Sequence, residues 1–342
     1  MRMPARKASP MPKMKRMNDR DAASACRMAE ALEALEKSRQ WILLSHEQPD
    51  GDTLGCASAL FSRARRVGKP VRWVGPDPMP SAYGFLPWAE CYEPAAILSP
   101  TEGSVLVFLD ATSPERTLPP LNLAGTLSIN VDHHGDNSLF ARVNLVDANA
   151  GATAELVWEL LQGMHTPLSR DEAVALYTGL VTDTGRFGYS CTTPRSHRVA
   201  ADLLEAGVSP ETMDRFLYCN WTPQALRLRG RAFSRMEYDR DRGFALSWLS
   251  RSDFEETGAD YSETEGLSSD LLRITDSRFS ALLVENGSSV RVSLRSRGNL
   301  SAADVAHRHG GGGHPKAAGM RLPLPIETAV KTLREEIRDL DG

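Results

Sequence analysis

Three short apolar runs constrain the fold of this chain most strongly, because each leads directly into residues that can bind a metal ion. The runs cover residues 41–44, 105–109 and 127–131, and short apolar runs between polar segments are typical of buried strands. The residues that follow them are carboxylates and imidazoles: His46, Asp50 and Asp52 after the first run, Asp110 after the second, and Asp132, His133 and His134 after the third. The sequence therefore predicts reactive side chains at the carboxyl ends of strands.

Segments with helical periodicity separate and follow these runs. They cover residues 22–38, 53–67, 152–161, 171–180, 195–205 and 210–218. Strands that alternate with helices predict an α/β domain with a mostly parallel sheet flanked by helices, and ligands of such sheets bind beyond the carboxyl ends of the strands. We therefore expect the three clusters to converge there, together with Asp183, an acid that precedes a glycine turn.

The last third of the chain has a different pattern. Residues 244–248, 278–284 and 290–294 have the composition of strands, and Glu285-Asn286-Gly287 between the last two is typical of a hairpin turn. We therefore expect a smaller α+β domain at this end of the chain.

Length and composition suit two domains, since 342 residues with 41% hydrophobic content can bury two ordinary cores. We divide the chain into a tail (1–20), an N-terminal domain (21–215), a linker (216–235) and a C-terminal domain (236–342). The tail has seven basic residues and one acid. We expect it to be disordered, or to precede a true initiator at Met17.

Net charge and cysteine usage exclude several classes of protein. A net charge of -4 does not fit a protein that coats long nucleic acids. The five cysteines are odd in number and never spaced C-x-x-C, which argues against a disulfide framework and against a thiolate zinc site. No apolar stretch reaches the ~18 residues of a membrane helix, so we expect a cytoplasmic protein that does not bind membranes.

The residue types in the clusters favour a hard divalent ion. Each acid or histidine alone is compatible with an ordinary role as a turn residue, a helix cap or an interior histidine. Taken together, several segments that present carboxylates and imidazoles to one crevice indicate a metal site. The excess of carboxylates points to Mn²⁺ or Mg²⁺ instead of structural zinc.

The order of these motifs resembles a known family. His46-x-x-x-Asp50-x-Asp52, Asp110, Asp132-His133-His134 and Asp183 are similar to the four signature motifs of the DHH phosphoesterases. The run from Gly310 to Gly319 resembles the glycine-rich signature of the DHH-associated C-terminal domain. Within the family, the compact two-domain chain is similar to the nano-RNases (oligoribonucleases) that also dephosphorylate 3′-phosphoadenosine 5′-phosphate (pAp).

The resemblance implies two Mn²⁺ ions, with Mg²⁺ or Co²⁺ as substitutes. One ion would be held by His46, Asp50 and Asp110, and the other by Asp52, Asp110, His133 and Asp183, so that Asp110 bridges them. The ions would activate a bridging water for in-line attack on the phosphate. Asp132 would orient an imidazole, and His134 would contact the scissile phosphate or protonate the leaving oxygen.

The resemblance also implies that residues 21–215 form the metal-binding catalytic domain and residues 236–342 the substrate-binding domain, with the active site in the cleft between them. The residues expected to bind the substrate are Arg295, Arg297, Asn299, Gly311, Gly312, Gly313 and His314. Glycine amides can approach a phosphate closely, and a helix that starts beyond the run would add its positive end. The alternatives are a flexible turn for the glycines and a solvated strand face for the arginines.

The expected partners are short RNA or DNA oligonucleotides and small nucleotides, and the sequence is compatible with a homodimer. Three other functions remain open. Two are enzymatic, a phosphodiesterase of linear or cyclic dinucleotides and an inorganic pyrophosphatase. The third is a non-catalytic nucleic-acid-binding module.

Overall fold

A computed structural model describes residues 19–95, 97–117 and 125–338 of the chain. The chain divides into two compact units, Met1–Cys219 and Asn220–Gly342. The predicted basic tail, 1–20, lies outside the described residues except for its last two, which begin the first helix. None of the helices in the described part is long and apolar enough to cross a bilayer.

The first unit contains one parallel sheet and six helices within the described ranges. Its elements are α1 (Asp19–Lys37), β1 (Gln40–Leu44), α2 (Gly51–Arg66), β2 (Val71–Gly75), β3 (Tyr92–Pro94), β4 (Ser104–Leu109), β5 (Leu127–Asp132), β6 (Val143–Val146), α3 (Thr153–Gly163), α4 (Arg170–Asp183), α5 (Pro194–Glu205) and α6 (Pro210–Tyr218). The strand order is β3-β2-β1-β4-β5-β6, and every neighbouring pair is parallel. The predicted α/β architecture is confirmed.

The strand order explains why the motifs after β1 and β4 meet. These two strands are neighbours, yet the chain continues from β1 to β2 on one side and from β4 to β5 on the other. Such a reversal opens a crevice beyond the carboxyl ends of the two strands. The sequence therefore brings its first two acidic motifs to the usual ligand position of a doubly wound sheet.

Both faces of the sheet are buried, which accounts for the continuous apolar runs. In β1, Trp41 and Leu43 belong to the large core that the sheet forms with the helices, whereas Ile42 and Leu44 belong to a smaller core on the opposite face. Successive side chains of a strand point to opposite faces, so a strand with two buried faces needs apolar residues at every position.

Helices α2 and α4 pack antiparallel and unusually close together, because glycines lie where they cross. A Cβ atom at Gly55 would lie 2.4 Å from the carbonyl oxygen of Ala175, and one at Gly179 would lie 2.5 Å from Oδ1 of Asp52. A Cβ atom at Gly51 would lie 2.4 Å from the hydroxyl of Thr182. The start of α2 is therefore held against the end of α4.

The second unit is an α+β domain, as predicted. Its elements are α7 (Pro223–Arg235), β7 (Glu237–Asp239), β8 (Phe244–Leu249), α8 (Arg251–Thr257), α9 (Leu267–Leu271), β9 (Phe279–Asn286), β10 (Ser289–Ser296), α10 (Ala302–Arg308), β11 (Gly312–His314), β12 (Ala317–Pro323) and α11 (Ile326–Arg338). The sheet order is β11-β12-β10-β9-β8-β7, antiparallel except for the β8–β9 pair. Gly287, at φ +63°, closes the predicted β9–β10 turn.

Two local expectations differ from the structure. Most of the expected linker, 216–235, is helical, since α7 fills residues 223–235 and buries Leu228 and Ala232 against the second sheet's core. The prediction of a helix beyond the glycine run was wrong, because residues 317–323 form β12. This segment pairs with β10 from Ser289 opposite Pro323 to Arg295 opposite Ala317, and these long-range pairs override the helical preference of its alanines.

Candidate metal centre

Six side chains from both sides of the crevice converge at the carboxyl edge of the parallel sheet. His46 lies in the loop after β1, Asp50 caps α2 and Asp52 lies in its first turn, Asp110 follows β4, His133 follows β5, and Asp183 ends α4. Ligand atoms of His46, Asp50 and Asp110 lie within 4.8 Å of one another, and so do those of Asp52, His133 and Asp183. The structure thus brings together all six residues that the sequence proposed as ligands.

Asp110 lies between the two groups. Its Oδ2 is 3.5 Å from Nε2 of His46, and its Oδ1 is 3.6 Å from Nε2 of His133. The backbone of Asp110 lies in the left-handed region, with φ +59°. This conformation is uncommon for residues other than glycine and is often found at functional sites. Thr153 fixes the carboxylate further, because its hydroxyl donates to Oδ1 over 2.8 Å.

Both imidazoles turn Nε2 towards the carboxylates. Nδ1 of His46 bonds to the carbonyl of Glu47 at 2.7 Å, and Nδ1 of His133 bonds to the carbonyl of Ala150 at 3.3 Å. A backbone carbonyl accepts a hydrogen bond from Nδ1–H, so Nε2 is left as the ligand atom, as in most histidine metal sites.

The same surroundings change the basicity of the imidazoles. Burial lowers the pKa of His46, but its hydrogen bonds with Asp110 and Asp50 outweigh burial and raise the pKa to about 10. His133 is affected in the same way, since burial is outweighed by Asp183 and the neighbouring carboxylates, and its pKa also rises to about 10. Both rings are thus surrounded by negative charge.

Asp52 is completely buried at the amino end of α3. Its Oδ2 accepts from the N–H of Thr153 at 2.6 Å, and its Oδ1 accepts from the N–H of Ala154 at 3.0 Å. Even so, burial and the charges of Asp110 and Asp183 raise the pKa of Asp52 well above its usual value. Burial and Asp110 likewise raise the pKa of Asp183, although His133 opposes this.

These carboxylates carry more negative charge than the protein around them neutralises. A divalent cation would supply the missing positive charge, and carboxylates with imidazoles are the ligands that Mn²⁺ and Mg²⁺ accept. The residues therefore fit a hard divalent metal ion.

Asp132 holds His134 in place. Nδ1 of His134 donates to Oδ1 of Asp132 over 2.7 Å, and the side chain of Asn137 donates to Oδ2. Burial raises the pKa of Asp132, but these hydrogen bonds outweigh burial, so the net effect is a lowered pKa. Asp132 therefore stays ionised as the partner of His134, which is 38% exposed and also lies close to Asp110 and His133.

The substrate-binding residues proposed from the sequence lie at one end of the second sheet. Arg295 ends up half-buried opposite Ala317, with Nη1 donating to the carbonyl of Leu294 at 2.9 Å, while Arg297 and Asn299 are exposed. Lys316 donates to the carbonyls of Gly298 and Leu300, so its ammonium group has a structural role.

The glycine run forms the edge of this sheet. Gly312, Gly313 and His314 form β11, although the side chain of His314 is not among those described. A Cβ atom at Gly311 would lie 2.3 Å from the carbonyl of Gly319, and one at Gly313 would lie 2.6 Å from that of Ala317. Close packing of a hairpin therefore requires glycine at two positions in the run.

The sequence analysis did not identify three residues that hold side chains of the site. Thr153, Asn137 and the carbonyl of Ala150 each hold a side chain of the cluster. Thr153 lies 43 residues from Asp110 and 101 from Asp52. No local spacing indicates such contacts, since they follow from where the chain places α3.

Two family models match the chain. The model described as the DHH family, N-terminal domain, matches residues 40–180, and the DHHA1 domain model matches residues 243–340. One model lies in each unit, and together they include the quoted motifs except Asp183, which lies just beyond residue 180.

Characterised relatives and a solved structure agree with the family models. The bifunctional oligoribonuclease and PAP phosphatase NrnA of Thermus thermophilus is 34% identical over 91% of this chain and 93% of its own. The enzyme of the same name from Bacillus subtilis is 28% identical over 82% of this chain and 88% of its own. An exopolyphosphatase-related protein from Bacteroides fragilis is similar in structure, with a TM-score of 0.83, 25% identity and coverage of 92% and 96%.

The ligand geometry, the two family models and the nearly full-length similarity agree in one assignment. This chain belongs to the DHH family of phosphoesterases, metal-dependent hydrolases of phosphoester bonds, and carries a DHHA1 domain.

Proposed function

We propose that this protein hydrolyses short oligonucleotides to mononucleotides, and pAp to AMP, with two divalent metal ions of which Mn²⁺ is the preferred one. The observation that carries the proposal is the position of Asp110, whose two oxygens face the imidazoles of two separate ligand groups at 3.5 and 3.6 Å. A carboxylate between two such groups is what a pair of metal ions with one bridging ligand requires.

The relatives support the choice of substrate. The Thermus thermophilus and Bacillus subtilis proteins are both described as bifunctional oligoribonucleases and PAP phosphatases, and this chain matches nearly the whole length of each. The C-terminal domain is proposed to bind the substrate through Arg297, Asn299, Arg295 and the glycine hairpin, because cationic side chains and amide groups are ordinary partners of phosphate oxygens.

In this proposal the ligands would divide between two ions as the resemblance implied. His46, Asp50 and Asp110 would hold one ion, and Asp52, Asp110, His133 and Asp183 would hold the other. When bound, such ions supply a nucleophilic water at neutral pH and neutralise the phosphate oxygens. The protein itself fixes the ligands in advance through the N-terminus of α3, the hydroxyl of Thr153 and the carbonyl of Ala150.

His134 is the residue best suited to act on the phosphate. Its Nδ1 is engaged by Asp132, so Nε2 is the nitrogen that can donate a proton to a phosphate oxygen or to the leaving oxygen. Its partner Asp132 stabilises the protonated ring, since its own pKa is lowered. Replacement of His134 is therefore expected to slow turnover without removing the metal ions.

A metal-titrated assay tests the proposal. Purified protein stripped with EDTA is given Mn²⁺, Mg²⁺ or Co²⁺ and offered a linear dinucleotide, a pentanucleotide, pAp, a cyclic dinucleotide and pyrophosphate in parallel. We expect the linear dinucleotide and pAp to be hydrolysed fastest, with Mn²⁺ as the best activator. Faster hydrolysis of pyrophosphate, or activity that persists without metal, would contradict the proposal.

A second candidate function is hydrolysis of cyclic dinucleotides. The cyclic-di-AMP phosphodiesterase GdpP of Geobacillus thermodenitrificans is 26% identical over 97% of this chain, although the match covers only 52% of GdpP. The same assay separates the candidates, because a cyclic-dinucleotide enzyme turns over the cyclic substrate faster than its linear product.

A further inference from the structure

Arg195 lies outside the metal centre but contacts three carboxylates at once. Its Nη1 is 2.9 Å from Oδ2 of Asp147, its Nε is 3.2 Å from Oε2 of Glu155, and its Nη2 is 3.0 Å from Oε1 of Glu159. It is the second residue of α5, where the positive end of the helix disfavours a cation. The three carboxylates offset that cost. The contact with Asp147 is a hydrogen bond, and those with Glu155 and Glu159 are ion pairs.

Two of these carboxylates hold the ends of the loop that follows β6. Asp147 begins the loop and accepts from the N–H of Asn149 at 3.0 Å. Glu155 is completely buried, and its Oε1 accepts from the N–H of Gly151 at 3.2 Å and from the hydroxyl of Ser196. Arg195 thus ties α5 to both ends of the segment 147–151.

The loop and the first residue of α3 together orient three of the proposed ligands. Within the loop, the carbonyl of Ala150 accepts a hydrogen bond from Nδ1 of His133. Just beyond it, Thr153 donates from its hydroxyl to Asp110 and from its N–H to Asp52. The loop is tightly packed at Gly151, because a Cβ atom there would lie 2.7 Å from the hydroxyl of Ser196 and 3.1 Å from the carbonyl of Cys191.

We propose that Arg195, with Asp147 and Glu155, is a positioning residue of the metal centre, which fixes the loop 147–151 so that His133 presents Nε2 to the metal. This inference rests on the proposed metal site. Arg195 contacts the carboxylates of Asp147 and Glu155, and these accept hydrogen bonds from N–H groups of the loop 147–151. The loop carbonyl of Ala150 in turn binds Nδ1 of His133. Groups that orient a metal ligand in this way commonly change metal affinity when they are replaced.

Direct Mn²⁺ binding tests the inference, measured by electron paramagnetic resonance titration of the full-length protein. Arg195→Met is expected to weaken Mn²⁺ binding about 10- to 100-fold. Arg195→Lys keeps one charge and is expected to recover part of the affinity. The matched control is Arg198→Met on the same helix, where the side chain is exposed, and this variant is expected to bind like the wild type.

Asp147→Asn provides a second variant at a more exposed position, which is expected to fold even if Arg195→Met does not. It is expected to weaken Mn²⁺ binding in the same direction, and the double variant is expected to bind no more weakly than Arg195→Met alone, because both changes break one linkage.

Two other outcomes are distinct. If Arg195→Met and Asp147→Asn lower only the melting temperature and leave Mn²⁺ affinity unchanged, Arg195 is merely structural and the inference is wrong. If the wild type itself binds no Mn²⁺, the proposed metal site fails first.

Discussion

The two ends of the α2–α4 pair carry buried charges of opposite character. At one end, Asp52 and Asp183 lie among further carboxylates, and the pKa of each is raised. At the other end, Glu172 lies between two arginines, and its pKa is lowered. The same two helices thus place an excess of negative charge at one end and a neutralised acid at the other.

At the neutralised end of the helix pair, the charge of Glu172 is balanced by two arginines. Nε of Arg63 is 2.7 Å from Oε1 of Glu172, and Nη1 of Arg66 is 2.8 Å from Oε2. Arg63 also donates to the carbonyl of Leu161, and Glu172 accepts from the N–H of Ser169 in a capping box. Burial raises the pKa of Glu172, but these partners outweigh burial.

The comparison separates groups that stabilise the fold from groups that serve the reaction. A buried acid with a full set of donors supports the folded state, whereas buried acids that repel one another destabilise it until a cation binds. Perturbed carboxylates are therefore informative only when the direction of the pKa shift is considered.

The largest effect is expected from Asp110→Asn, which should abolish the activity but leave the fold intact. Loss of the proposed bridging carboxylate would remove several kcal/mol of metal-dependent stabilisation of the transition state, equivalent to about 10³-fold or more in kcat. Mn²⁺-dependent hydrolysis of a dinucleotide measures this. The control is Asp171→Asn, which removes an exposed acid from the first turn of α4 and should keep full activity.

Glu172→Gln is expected to lower stability and to leave activity almost unchanged, which is the opposite of Asp110→Asn. It leaves the fully buried Arg63 without its ionic partner, so we expect a loss of about 3–5 kcal/mol in the free energy of unfolding. Urea denaturation of the metal-free protein measures it, while kcat of the folded fraction should change little. A variant as stable as the wild type would show that this end does not support the fold.

Acid should erase the difference between wild type and Glu172→Gln. Because the folded pKa of Glu172 is lowered, its contribution is complete above the ordinary value of 4.5 and is lost as the pH falls through the folded pKa. The stability gap is therefore expected to be constant from pH 6 to 8 and to shrink below about pH 4.5. A gap that widened on acidification would reverse the assigned direction.

Gly179→Ala is expected to lower both the stability of the fold and the affinity for Mn²⁺ moderately. The new methyl group would lie 2.5 Å from Oδ1 of Asp52 and 3.1 Å from Cβ of Ala154. Overpacking of this kind costs about 1–3 kcal/mol, and displacement of Asp52 should also weaken Mn²⁺ binding. The matched control is Gly230→Ala on α7, where nothing lies within 4 Å, and there the change should stabilise the helix.

The smallest effect is expected from Asp183→Asn in the metal-free protein, and it should be a gain. A raised folded pKa means that stability falls as the pH rises from the ordinary value of 3.8 through the folded value. Removal of the charge is therefore expected to add about 0.5–2 kcal/mol at pH 7. Saturating Mn²⁺ should reverse the ranking, since only the wild type gains full metal binding.

The convergence of the proposed ligands could be predicted from sequence because each of them lies next to a signal that can be read locally. Asp110 follows an apolar run, and Asp183 precedes Gly185. The parallel sheet then determines that such strand ends meet. Even the alternative role considered for Asp50 is real, since it caps α2 through Oδ1 while lying near His46.

What could not be predicted depends on contacts between distant segments. Nothing near Asp110 indicates its left-handed backbone, and nothing near Arg195 indicates three carboxylates from a loop and a helix. The segment after the glycine run contains good helix formers, yet pairing with β10 makes it a strand. Local preference is decisive only where no long-range partner competes.

The glycines where α2 and α4 cross also set a length scale for the chemistry. Asp52 and Asp183 belong to different helices, so the separation of their oxygens depends on how closely two rigid rods approach at Gly55 and Gly179. In the proposed assignment both carboxylates hold the same ion, so their oxygens must lie at distances that suit one short coordination shell, about 2.0–2.1 Å from the ion for Mg²⁺. The lack of a side chain at Gly55 and Gly179 sets this separation, and a bulkier residue at either position would need a compensating change elsewhere to keep it.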